Sequence, residues 1–143
     1  DLTLRAFSRQ RLGGWLKNLL KQGKQLDITQ EQELHQLRIR GKKLRYGLEF
    51  LQPVLGNVVQ PLIANLKVLQ DNLGYVHDAQ RTGPILQGVL AKTTSRTLYR
   101  EAGFLIGWHS RGALEARQKL AKQWWRLRRS GRKWLRYHKD EIL

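Results

Sequence analysis

Cysteine and methionine are both absent from this chain of 143 residues. Without cysteine there is no disulfide framework and no thiolate metal site, which fits the cytoplasmic location we expect. The missing methionine, with a first residue of Asp1, leads us to expect a piece of a longer protein. No apolar run approaches the length of a membrane span, and no signal peptide is visible. Proline occurs three times, at Pro53, Pro61 and Pro84, leaving long stretches without a breaker. Acids are the scarcest class relative to their opposites: 11 Asp plus Glu stand against 27 Lys plus Arg, a net charge of +16. That imbalance costs stability through self-repulsion and favours a polyanionic partner. Nucleic acid, a phosphate polymer and an acidic membrane surface all answer that description.

Strand signals are weak and helix signals strong, so an all-α fold is expected, an antiparallel four-helix bundle over residues 1–143 with no dividing linker. Leu2 to about Gln22 is amphipathic, with Gly13-Gly14 expected to bend or break it. Thr29 is the expected N-cap of a second helix, with Glu31 and Glu33 near its positive end, running to Leu51 and stopping before Pro53. A third starts near Pro61 and is expected to end at Thr82-Gly83-Pro84, with a short helix over 85–90 after it. The last is expected from Thr97 to Arg129.

The second helix carries two registers. Leu34, Leu37, Gly41, Leu44, Leu48 and Leu51 form an apolar seam at steps of three and four. One residue on, His35, Arg38, Lys42, Arg45 and Glu49 form a polar row. At about 100° per residue the row lies beside the seam. Each step rises about 5 Å, so a linear phosphate chain along the helix would meet His35, Arg38, Lys42 and Arg45 in turn. Arginine offers forked donors, lysine a point charge, and Tyr46 a hydroxyl. Glu49 is the i+4 partner of Arg45. Arg40 and Lys43 point away by angle and are read as surface charges.

The third helix repeats the offset. Its seam of Leu62, Leu66, Leu69, Leu73 and Val76 is shadowed by Lys67, Gln70, Gly74 and His77. Gly74 is expected to permit close backbone approach. Asp71 and Asp78 are expected to orient cations. His109 lies on an apolar seam and is expected to be a satisfied core residue.

The run His35-x-x-Arg38-x-x-x-Lys42-x-x-Arg45-Tyr46-x-x-Glu49-Phe50, followed by Leu69-Gln70-Asp71-x-Leu73-Gly74-x-x-His77-Asp78, resembles the CHAD domain, the conserved histidine α-helical domain. Gly103 to Trp108, Trp124 and Trp134 also fit its C-terminal part. The resemblance implies an all-helical domain that binds inorganic polyphosphate in a basic channel between two four-helix halves. This chain is the size of one half and resembles the second, so pairing with an N-terminal half or a second copy would complete the channel. The implied binding residues are His35, Arg38, Lys42, Arg45 and Tyr46, with Lys67 from the third helix and Asp78 among its orienting positions. The helix rows themselves add His77 to the binding set and Glu49, Gln70 and Asp71 to the orienting set. His77 stands where the family more often has asparagine. No catalytic residue, metal or cofactor is implied.

Family members also occur behind a CYTH-type triphosphatase domain. Glu31-x-Glu33-x-His35 faintly resembles that domain's E-x-E-x-K motif, but it ends in histidine and sits on a helix, and we read it as helix N-terminal acids. Gly41-Lys42-Lys43 lacks the upstream glycine and hydroxyl of a phosphate loop. The chain is therefore expected to bind rather than catalyse, with an accessory role beside a triphosphatase as one alternative. Nucleic acid is the main rival partner. Arg117 to Lys139 holds ten basic residues and no acid, interleaved with Trp124, Trp125, Trp134 and Tyr137. Trp124 and Trp134 are expected to pack on the bundle, while Trp125 stays open. Membrane-surface binding by Leu2 to Lys24 is a third, weaker option.

Overall fold

The computed structural model describes residues 3–137, and all of its long elements are helices. Helix α1 spans Leu4–Lys24, α2 Glu31–Leu55, α3 Gln60–Leu90 and α4 Arg96–Tyr137, with a 3₁₀ turn at Asn57–Val59 before α3. The helices form an antiparallel bundle in which α1 packs on α2, α2 on α3, α3 on α4, and α4 back on α1. Each helix contributes one stripe to a common core. Leu12, Leu16 and Leu19 of α1 meet Leu34, Leu37, Leu44 and Leu48 of α2, Leu62 to Val76 of the α3 seam, and Leu120, Leu127 and Trp134 of α4. None of these is more than 6% exposed.

Several local breakers are overridden by this packing. Gly13-Gly14 does not interrupt α1. Gly13 is buried, and a methyl group there would sit 3.5 Å from Leu135, so the helix runs straight through its contact with α4. α2 continues through Pro53 because Leu55, beyond it, is 1% exposed and anchored in the core. It stops at Gly56, whose φ of +82° suits glycine. α3 continues through Pro84 to Leu90, so the separate helix expected over 85–90 is its last stretch. The long α3–α4 pairing carries the chain past that proline. α4 runs to Tyr137, well beyond Arg129.

Thr29 is not the cap of α2. The N-cap is Gln30, without a side-chain hydrogen bond. Thr29 instead donates its backbone N–H (2.9 Å) and its hydroxyl (2.6 Å) to Asp27 Oδ1. These bonds, the hydroxyl's first, hold the Asp27 carboxyl below the usual carboxylate range. The loop's share of stability is thus complete above the ordinary carboxylate pKa and is lost as pH falls through the lowered value.

α3 and α4 outrun their partners. Between Val76 and Ala116 the only buried residue is Ala102. Leu98 and Leu105, expected on a buried seam, are both 45% exposed. His109 is half-buried beside Tyr75, ring centroids 6.2 Å apart. Its buried Nδ1 has no partner in the structure, so it is not the satisfied core residue expected. The outer halves of α3 and α4 thus form a hairpin that α1 and α2 do not cover.

Candidate functional site

The two polar rows meet. Antiparallel neighbours are related by a twofold axis perpendicular to the plane of the pair. An equal one-residue offset from facing seams therefore puts both rows on the same side. His35 of α2 stacks on His77 of α3, with ring centroids 4.8 Å apart and planes 24° off parallel. One step on, the Arg38 guanidinium lies over Gly74, its Nε 3.6 Å from where a Cβ would stand. Further along, Arg45 Nε donates to Gln70 Oε1 at 2.6 Å. Continuing this antiparallel register brings exposed Lys67 level with Arg45.

Arg45 is the most fully held cation of the row. Its Nη1 reaches Glu49 Oε1 at 3.1 Å, and its guanidinium lies 4.7 Å from the Tyr46 ring centroid. Lys42 Nζ lies 5.6 Å from the same centroid. The Tyr46 ring, half exposed, is thus a shared support for two cations. Gln70, 8% exposed, forms the floor of the row between Gly41 and Arg45. Its Nε2 and the Nδ1 of His35 are both buried without a partner in the structure. Arg38, Lys42 and Lys67 have no carboxylate within ion-pair distance among the described residues.

Some expectations are not met. Asp71 and Asp78 are exposed and hold no cation among the described residues. Orientation comes instead from Gln70 and Glu49. Gly74 is not required for backbone contact, since a methyl group at 3.6 Å from Arg38 would make ordinary van der Waals contact. No third histidine or carboxylate joins His35 and His77 in a metal-ligating set among the described residues.

Arg40 and Lys43 do point away from the row, onto the α1 side of α2. There they border a groove of about 660 Å³ with Lys21, Asn18 and Trp15. Both are engaged: Arg40 donates to Gln22 at 3.1 Å, and Lys43 Nζ lies 4.4 Å over the Trp15 ring. Sequence angles find the direction of these side chains but not their partners on α1. Trp124 and Trp134 pack on the bundle as expected, Trp124 against Gly23 and Trp134 at 2% exposure. Lys139, the last of the ten C-terminal basic residues, lies outside the described residues.

An all-helical bundle with a basic row along one interhelical groove defines the class. The CHAD domain family model matches residues 1–87, more than half the chain, and the protein belongs to that family. The match takes in α1, α2 and nearly all of α3, hence both polar rows. The sequence motifs placed the resemblance from Leu34 onward and into α4; the match instead includes α1 and stops short of α4. Searches among curated proteins and among solved structures found no match. No helix among the described residues is long and apolar enough to cross a membrane.

Proposed function

We propose that this chain is a binding module for inorganic polyphosphate, which lies along the α2–α3 groove. The observation that carries the reading is the alignment of the two rows, with Arg38, Lys42 and Lys67 left without carboxylate partners. Cations held side by side without acids repel one another, and a phosphate chain would relieve that repulsion along the whole groove. Arg38 and Arg45 would fork onto phosphate oxygens, Lys42 and Lys67 would add point charges, and His35 and His77 would close the end of the row. Tyr46 supports the cations and has a hydroxyl to offer.

The module binds and does not catalyse by itself. The one acid of the α2 row, Glu49, is engaged by Arg45, and the remaining groups of that row are hydrogen-bond donors to phosphate oxygens. Any triphosphatase chemistry belongs to another part of a longer polypeptide. A single bundle offers a groove; a second bundle, from an N-terminal half or a second copy, would turn it into a channel.

Titration with polyphosphates of graded length tests the reading. Affinity should rise with chain length and fall with added salt. Length-independent binding, or binding indifferent to salt, would remove the groove as the site. Phosphate release from triphosphate with added divalent cation should be undetectable, and measurable turnover would make the chain an enzyme.

A further inference from the structure

A second basic surface lies on α4, outside the residues that match the family model. The buried stripe of α4 includes Leu120, Leu127, Gly131 and Trp134. Trp124 turns inward against Gly23. Trp125, one residue on and so about 100° around the helix, points outward and is 56% exposed. It borders a shallow groove of about 190 Å³ whose other walls are Arg128, Arg129, Arg132 and Arg136. The Arg129 guanidinium lies 5.4 Å from the Trp125 ring centroid. None of the four arginines has a carboxylate partner among the described residues.

Packing does not explain this face. Tryptophan is usually well buried, and four neighbouring unpaired arginines repel. Trp125, Arg129, Arg132 and Arg136 follow steps of four, three and four, so they form one stripe with a charge roughly every 4.5–6 Å along the axis. A stripe of guanidinium groups with an aromatic plane at one end fits a ligand that has both phosphates and flat rings. Inorganic polyphosphate has no ring to place on tryptophan. A duplex keeps its bases stacked inside, out of the side chain's reach. A membrane surface calls for an apolar face, and the neighbours of Trp125 in this groove are all arginine.

We propose that this face binds single-stranded nucleic acid, with one base stacked on Trp125 and successive phosphates on Arg129, Arg132 and Arg136. The site is independent of the α2–α3 groove and does not rest on the polyphosphate reading.

The test uses the whole chain and a fluorescent twelve-residue oligouridylate at low salt. The wild-type chain should bind it, with affinity falling as salt rises. Trp125→Leu should weaken binding about tenfold, while Trp125→Phe should keep most of it. The triple variant Arg129→Ala, Arg132→Ala, Arg136→Ala should lose it. All four positions are exposed, so far-ultraviolet circular dichroism should stay unchanged. Trp125→Leu should leave polyphosphate binding as it was. The proposal is overturned if the wild-type chain does not bind the oligonucleotide, or if Trp125→Leu binds it as well as wild type. It is also overturned if substitutions of Arg38, Lys42 and Arg45 alone abolish binding, or if Trp125→Leu weakens binding to anionic lipid vesicles more than to the oligonucleotide.

Discussion

Arg45 shows how one side chain can serve both fold and ligand. Gln70 and Glu49 hold it from two sides at 2.6 and 3.1 Å. Gln70→Glu separates the two roles. The carboxylate keeps an acceptor for Arg45. Its second oxygen, standing where Nε2 is buried without a partner, accepts beside a row of cationic donors where Nε2 could only donate, so the urea midpoint at neutral pH should not fall. It also puts a negative charge on the floor of the row. Polyphosphate affinity should drop about tenfold, or ~1.4 kcal/mol. A stable variant with undiminished affinity would take the ligand away from Gln70. At this scale the sequence was most legible where chemistry followed the helical angle: His35, Arg38 and Arg45 share one side of α2, and Gln70 and His77 one side of α3, as their spacing implied. Asp71 and Asp78 were not legible as exposed, unpaired acids, because which neighbour a side chain reaches depends on interhelical distance and register. The Arg40–Gln22 and Lys43–Trp15 contacts escaped for the same reason.

Helix existence was legible in the apolar periodicity, and helix ends were not. Pro53, Pro84 and Gly13-Gly14 are local signals to stop, yet each helix continues, with buried Leu55, the α3–α4 pairing and the Gly13–Leu135 contact on the other side of the balance. Two glycines test that account. Gly14 has open space where a Cβ would stand, so Gly14→Ala should stabilise the chain by about 0.5–1 kcal/mol through helix propensity alone. At Gly47 a Cβ would lie 2.8 Å from Leu12 Cδ2 and 3.2 Å from Trp15. Leu12 is 1% exposed and has little room to yield. Gly47→Ala should therefore cost about 1–2 kcal/mol despite the same propensity gain. Urea denaturation of the two variants should move in opposite directions. Stabilisation by both would mean that α1 and α2 are not closely packed at Gly47.

For the molecule as a whole, charge dominates. A net +16 over a modest core leaves the folded state under self-repulsion. Raising sodium chloride from about 50 to about 500 mM should raise the thermal midpoint, since the Debye length falls to a few ångströms over that range. Polyphosphate should raise the midpoint too, by mass action on the folded state, and longer polymers should do so at lower phosphate concentration. A midpoint lowered by salt would mean that ion pairs, not repulsion, govern the fold. The bundle class and the excess charge are both legible in the sequence. The uncovered α3–α4 hairpin was not, because periodicity marks an apolar face without saying whether a neighbouring helix reaches it.

The central claim is that the α2 row, and not charge in general, holds the polyphosphate. A charge-matched pair of triple variants addresses it directly, by equilibrium titration with long-chain polyphosphate at fixed ionic strength. Arg38→Ala, Lys42→Ala, Arg45→Ala and Arg129→Ala, Arg132→Ala, Arg136→Ala each remove three positive charges. Circular dichroism and thermal midpoints, measured on both, check that each stays folded. The α2 variant should lose binding and the α4 variant should keep affinity close to wild type. Equal losses in the two variants, or retention by the α2 variant, would contradict the claim.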